Sequence, residues 1–195
     1  NPGLAGKTTW KDNLSMKDHS PILKRNLTGC VAAVLLILFD QFTKMLAVAH
    51  LKNQPSNVLI DGVFELRYLE NRGSAFGMMQ NKLIILIPVT VVVTLLILYL
   101  FFKKLHFFWL NAVAVLFFAG AIGNFIDRVR QGYVVDFFYF SLINFPIFNV
   151  ADIYVTAAAF LLIFLCLFYY KEEDFEQIFP SGSSRQHSSE KKDND

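Results

Sequence analysis

Four stretches of the chain are almost wholly apolar: about Leu27 to Ala49, Leu83 to Phe102, Phe107 to Ile126 and Ile147 to Tyr170. Each is long enough for a helix to cross a bilayer, which takes roughly 20 residues. The pattern predicts an all-α membrane protein of four transmembrane helices. Between the first two spans, about 50–82, the composition becomes mixed. Asn53, Pro55, Ser56 and Asn57 give turn signals there, and the alternating VFELRYL section before Asn71 predicts short strands. A small β-containing lobe outside the membrane is the expectation. Residues 1–26 are polar and 171–195 are charged, then Ser-rich; both are expected to be flexible, leaving 27–170 as the folded unit. Within the second span, Pro88 is expected to bend the helix.

Basic residues orient the spans, because cytoplasmic segments carry the excess of Lys and Arg. The lead, the Lys103–Lys104 turn and the tail hold eleven, against six (Lys52, Arg67, Arg72, Lys82, Arg128, Arg130) in the other two connections. Both termini are therefore expected in the cytoplasm. The strand lobe and the 128–146 connection then share the outer face.

Composition agrees with a membrane protein: 54% hydrophobic and 17% charged residues, against about a quarter charged in soluble domains, with mean hydropathy +0.42. A net charge of +2 gives no footing for nucleic acid. Cys30 and Cys166 fall inside apolar runs and are expected to be packing thiols rather than a disulfide. Leu27-Thr28-Gly29-Cys30 has the form of a lipidation box. Lys24, Arg25 and Asn26 stand where the apolar stretch of such a signal would be, so the match is taken as accidental.

Against this apolar background four aspartates stand out: Asp40, Asp127, Asp136 and Asp152. An aspartate within a span costs about 2.5–3.5 kcal/mol on insertion scales, so such residues point to function. Asp40 and Lys44 lie four apart on one helical face and suit an ion pair. Asn124 and Asp127 lie three apart on the third span, as do Asn149 and Asp152 on the fourth, so two antiparallel helices present amide and carboxylate pairs at one depth. Asp136 falls in the expected loop between them, with Phe137, Phe138, Tyr139 and Phe140 as an aromatic anchor at the interface.

There is no HExxH, and the four histidines lie outside the acidic stretches, which argues against a zinc hydrolase; no GxSxG elbow supports a serine nucleophile. Paired carboxylates remain. Two aspartates about 3 Å apart share one proton, so one acts as base toward water while the other donates. Residue chemistry leaves open whether Asp152 pairs with Asp136 or with Asp127. A proton-coupled carrier also uses intramembrane aspartates, but four spans without an internal repeat suit alternating access poorly.

Five stretches, DQFTK (Asp40 to Lys44), NRGSAFG (Asn71 to Gly77), GNFIDR (Gly123 to Arg128), VVDF (Val134 to Phe137) and FNVAD (Phe148 to Asp152), resemble in this order the lipoprotein signal peptidases, or signal peptidase II. The resemblance covers about Leu27 to Tyr170. It implies an aspartyl endopeptidase of the bacterial inner membrane that cuts prolipoproteins before a diacylglyceryl-modified cysteine, in contact with membrane lipid, without metal or other cofactor, and inhibited by globomycin. It makes Asp136 and Asp152 the catalytic pair, with Asp127 supporting them. Asn71, Gly73 and Ala75 match a substrate-contacting stretch, Asn124, Arg128 and Asn149 match pocket polar groups, and Asp40 with Lys44 matches the first motif. Helix capping or interhelical hydrogen bonding would account for Asn124, Arg128 and Asn149 as well. Arg72 and Ser74 depart from the family, where Thr and a small residue are common, and the lead is longer than the family needs.

Overall fold

The computed structural model describes residues 20–73, 88, 91–92, 95 and 108–169. The second expected span, Leu83–Phe102, lies outside them except at the isolated helical positions Pro88, Val91, Val92 and Leu95. Residues 1–19 and 170–195, with Ser74 and Ala75, also lie outside the described residues.

Three helices and one small sheet make up the rest. Helix α1 spans Ser20–Leu51, α2 spans Phe108–Gln131, and α3 spans Val150–Phe164 and continues through a π turn to Tyr169. Asn26–Leu51, Phe108–Gln131 and Val150–Tyr169 are each long and apolar enough to cross a membrane, with mean hydropathy 1.9, 1.8 and 2.4. The protein is thus a multi-pass membrane protein. Leu35, Leu38, Phe42 and Met45 on α1 and Phe160 and Ile163 on α3 are exposed. In water such a surface would drive aggregation; in a bilayer it is the lipid-facing side. Cys30 and Cys166 are free and also exposed, so they do not pack inside as expected.

Strands β1 (Asn57–Ile60), β2 (Phe64–Asn71) and β3 (Val134–Tyr139) form an antiparallel sheet in the order β1-β2-β3. Gly62, at φ 66°, makes the β1–β2 turn. The third strand corrects the expected loop. Helix α2 runs past Ile126 to Gln131 and ends at Gly132, whose φ of 80° and N–H to the Arg128 carbonyl (3.1 Å) form a left-handed cap. The chain then enters β3 at once. Leu69 pairs with Asp136 and Asn71 with Val134.

Val134, Val135, Asp136 and Phe137 are all buried, because helices cover one face of β3 while the other lines the site. Val135 and Phe137 pack with Ala47, Leu51, Ala119, Val150 and Tyr154 in the core where sheet meets bundle. Phe137 therefore belongs to the core and does not anchor the chain at the interface.

Two glycines bring the helices together. A Cβ on Gly120 would lie 2.5 Å from the Ala151 carbonyl oxygen and 2.7 Å from Val155 Cγ2; one on Gly123 would lie 2.5 Å from Asp40 Oδ2. Small residues at such crossings let backbones approach closely. Gly120→Ala, which must push α3 away, is expected to destabilise the protein by about 1–3 kcal/mol. An unchanged thermal midpoint in detergent would contradict this packing.

Candidate active site

Asp40 and Lys44 lie on the inward face of α1, at 0% and 3% exposure. Lys44 Nζ reaches Asp40 Oδ2 at 2.9 Å and Asp127 Oδ2 of α2 at 3.1 Å, and donates to Asn124 Oδ1 at 2.9 Å. The expected Asp40–Lys44 ion pair is therefore present as part of a larger cluster. Asp40 Oδ1 accepts from the Ala151 backbone N–H (2.9 Å) in the first turn of α3. A carboxylate is favoured there because the first-turn N–H groups lack helical partners and carry the positive end of the dipole.

Asp127 accepts from the Val135 backbone N–H at 3.2 Å and so pins the start of β3 to α2. Its other oxygen accepts from Gln41 Nε2 at 3.2 Å, which also reaches Asp40 Oδ2 (3.2 Å) and the Gly123 carbonyl (3.1 Å). Gln41 is a site residue that the helical spacing does not reveal. Its backbone is turned about 100° from Asp40 on α1, so face-counting passes over it, yet its side chain reaches across. Its place inside DQFTK was the available signal.

Asn149 is not a helical partner of Asp152 but the N-cap of α3. Its Oδ1 accepts from the Asp152 N–H and Asp152 Oδ2 accepts from the Asn149 N–H, both at 3.1 Å, a reciprocal capping box. The Asn149 amide then donates to Asp136 Oδ1 (2.6 Å) and to Asn124 Oδ1 (3.1 Å). Asp136 Oδ2 accepts from Asn71 Nδ2 (2.8 Å), and Asp152 Oδ1 accepts from Asn124 Nδ2 (2.9 Å). Three asparagines thus hold four carboxylate oxygens with the help of one backbone N–H. Capping and interhelical bonding are both real here, and the same amides serve the carboxylates.

Asp136 and Asp152 line one cavity of about 890 Å³, together with Asn71, Asn124 and Arg128. Its wall continues along α3 through Ile153, Thr156, Ala157 and Phe160. Asp127 is absent from that lining and faces a smaller cavity of about 440 Å³ beside Gln41 and Lys44. Arg128 Nη2 donates to the Gly73 carbonyl and Nη1 to that of Asn124, both at 3.4 Å, while the Gly73 N–H donates to Asn71 Oδ1 (2.9 Å). Asn71 and Arg128 therefore line the cavity, and Gly73 is hydrogen-bonded to both.

Burial, and after it the charge of Asp152, push the Asp136 carboxyl up to about 7 despite the Asn71 and Asn149 amides. The shift brings its titration toward neutral pH. A carboxyl in this state can donate as well as accept.

A family model described as signal peptidase (SPase) II matches residues 32–168. A lipoprotein signal peptidase of Caldanaerobacter subterraneus subsp. tengcongensis is 44% identical over 139 residues, covering 71% of this chain and 94% of the relative. One of Clostridium tetani is 41% identical over 150 residues, covering 75% and 94%. A bacterial membrane enzyme solved by the in meso method at 1.9 Å resolution superposes with TM-score 0.66 at 33% identity, covering 73% of this chain and 94% of that one. Family model, relatives and fold agree, and the chain belongs to the signal peptidase II family.

Proposed function

We propose that this chain is an aspartyl endopeptidase that removes signal peptides from bacterial prolipoproteins before a diacylglyceryl-modified cysteine, with Asp136 and Asp152 as the catalytic pair. The observation that carries this reading is the shared cavity: two carboxylates at its polar end, framed by asparagine donors, and an apolar wall running down a membrane-spanning helix. A peptide bond beside a lipid-modified residue needs both environments at once.

Asp152 sits in the first turn of α3, accepting from Asn124 and from a backbone N–H, and acts as the charged base. Asp136 carries the shared proton. Water attacks the scissile carbonyl carbon as Asp152 takes one of its protons and Asp136 protonates the carbonyl oxygen. The resulting gem-diol collapses: the C–N bond breaks, the leaving nitrogen takes the proton from Asp152, and a hydroxyl proton returns to Asp136. The pair ends with one shared proton, as it began.

Asp127 is a poor alternative partner, since Lys44 and the Val135 N–H hold one of its oxygens, Gln41 holds the other, and it lines a different cavity from Asp136 and Asp152. The small backbone of Gly73 beside Asn71 allows a substrate strand to approach, and Ala75 completes that stretch by resemblance to the family. Arg72, a departure from the family, also lines the cavity, lying over the Tyr133 ring (5.6 Å) and 3.5 Å from Glu70, and so bears on substrate fit. Leu83–Phe102 is read as the remaining span of a four-helix protein and 27–170 as its peptidase unit; helix α1 begins at Ser20, so residues 20–26 are helical and not part of the flexible lead expected from their polarity. The distribution of basic residues supports both termini in the cytoplasm of a bacterial inner membrane, with the site near the outer face. Globomycin, as a family inhibitor, is expected to compete for the cavity.

On a diacylglyceryl-modified prolipoprotein, followed by gel shift, Asp152→Asn and Asp136→Asn are each expected to lower cleavage by roughly 10²–10⁴-fold, with thermal unfolding still cooperative. Asp127→Asn should lose stability while retaining measurable cleavage. Full turnover in Asp152→Asn would sink the mechanism. Because Asp136 must be protonated and sits at about 7, activity is expected to fall as pH rises through that value. A rate that keeps rising with hydroxide would contradict the shared proton.

A further inference from the structure

The connection from β3 to α3 exposes apolar side chains that neither the core nor the cavity uses. Leu142 and Ile143, in the 3-10 turn Ser141–Ile143, are each 68% exposed, with Phe140 and Phe145 on either side at 40% and 39%. The turn is firmly built. Asn144 takes a left-handed conformation (φ 47°), its N–H donates to the Ser141 carbonyl (3.2 Å), and its Oδ1 accepts from Tyr139 Oη (2.7 Å). The Phe145 N–H donates to the Phe140 carbonyl (3.1 Å), and the Phe140 ring lies 4.8 Å from that of Phe64. Leu142 and Ile143 are thus held outward on a rigid support, with rotamer freedom as the main thing contact would cost.

Position indicates what covers them. Phe145 and Ile147, just after the turn, line the same cavity as Thr156 and Phe160, which lie within the α3 span. The turn therefore adjoins the lipid-facing surface of the helices. Arg67 stands over the Tyr139 ring at 5.7 Å, the pairing of basic and aromatic side chains common at a membrane boundary.

We propose that Leu142 and Ile143 insert into the acyl–headgroup boundary of the bilayer that the helices span, making the lobe a lipid-binding element that sets the depth of the cavity mouth. Its assignment to the outer leaflet rests on the orientation given above. The lipid contact itself does not. Held this way, and on the substrate reading proposed above, the cavity is within reach of a diacylglyceryl group in the membrane.

The test places a nitroxide spin label at Ile143→Cys in the full chain, with Cys30→Ser and Cys166→Ser, in phosphatidylethanolamine/phosphatidylglycerol vesicles. Collision with oxygen, concentrated in lipid, is compared with collision with a water-soluble nickel chelate, using Leu38→Cys as the lipid reference and Asn57→Cys as the water reference. Oxygen-dominated collision, close to that at residue 38, is expected. Nickel-dominated collision, as at residue 57, would overturn the proposal by placing the turn in water. Protection from both would overturn it too, by showing that protein covers the turn: a second copy or another segment of the chain. If Ile143→Cys fails to fold, Leu142→Cys gives the same three readings. None of these readings depends on cleavage, so failure here leaves the peptidase assignment untouched.

Discussion

The buried ammonium of Lys44 is the contact on which the rest of the site depends. It touches Asp40 beneath the first turn of α3, Asp127 at the start of β3, and Asn124 beside Asp152. One cation thereby joins three helices and the sheet. Desolvating these charges is expensive, and breaking a buried pair by removing one partner costs about 3–5 kcal/mol, so the cluster forms as a unit. Gly120 and Gly123 follow from the same demand, because Asp40 reaches α3 only if the helices approach to backbone distance.

The cluster also sets up a division of labour among the carboxylates and amides of the site. Lys44 holds the Asn124 carbonyl, which leaves the Asn124 amide free to face Asp152. Asn149 works in both directions, capping α3 with its oxygen and holding Asp136 with its nitrogen. A side chain that only capped a helix would satisfy one of these roles. The asparagines leave the pair polar partners without adding a charge that would force both carboxylates to ionise.

Much of this was legible in the sequence. The spans Asn26–Leu51, Phe108–Gln131 and Val150–Tyr169 lie close to three of the apolar runs, and the Asp40–Lys44 spacing gave their ion pair directly. Strand β3 was not legible. A strand buried on both faces shows no alternation, so VVDFFY reads as apolar chain between helices. Asp136 consequently looked like a loop residue, whereas its register opposite Leu69 fixes its place. Asn149 and Asp152, three apart, look like one helical face until Asn149 is seen to be extended (φ −131°), where the same spacing makes a capping box. Which aspartate partners Asp152 depends on contacts far apart in sequence: Asp127 is drawn to Lys44, some eighty residues away, and no local pattern reports that.

The proposed mechanism requires a proton on Asp136 near neutral pH, which burial and the charge of Asp152 favour. Infrared difference spectroscopy of the purified protein, comparing the parent with Asp136→Asn across pH, tests it most directly. A protonated-carboxyl band present below neutrality, lost as pH passes about 7 and missing in the variant, is the expected result. A band that disappears near pH 4, the range of an ordinary aspartate, would contradict it.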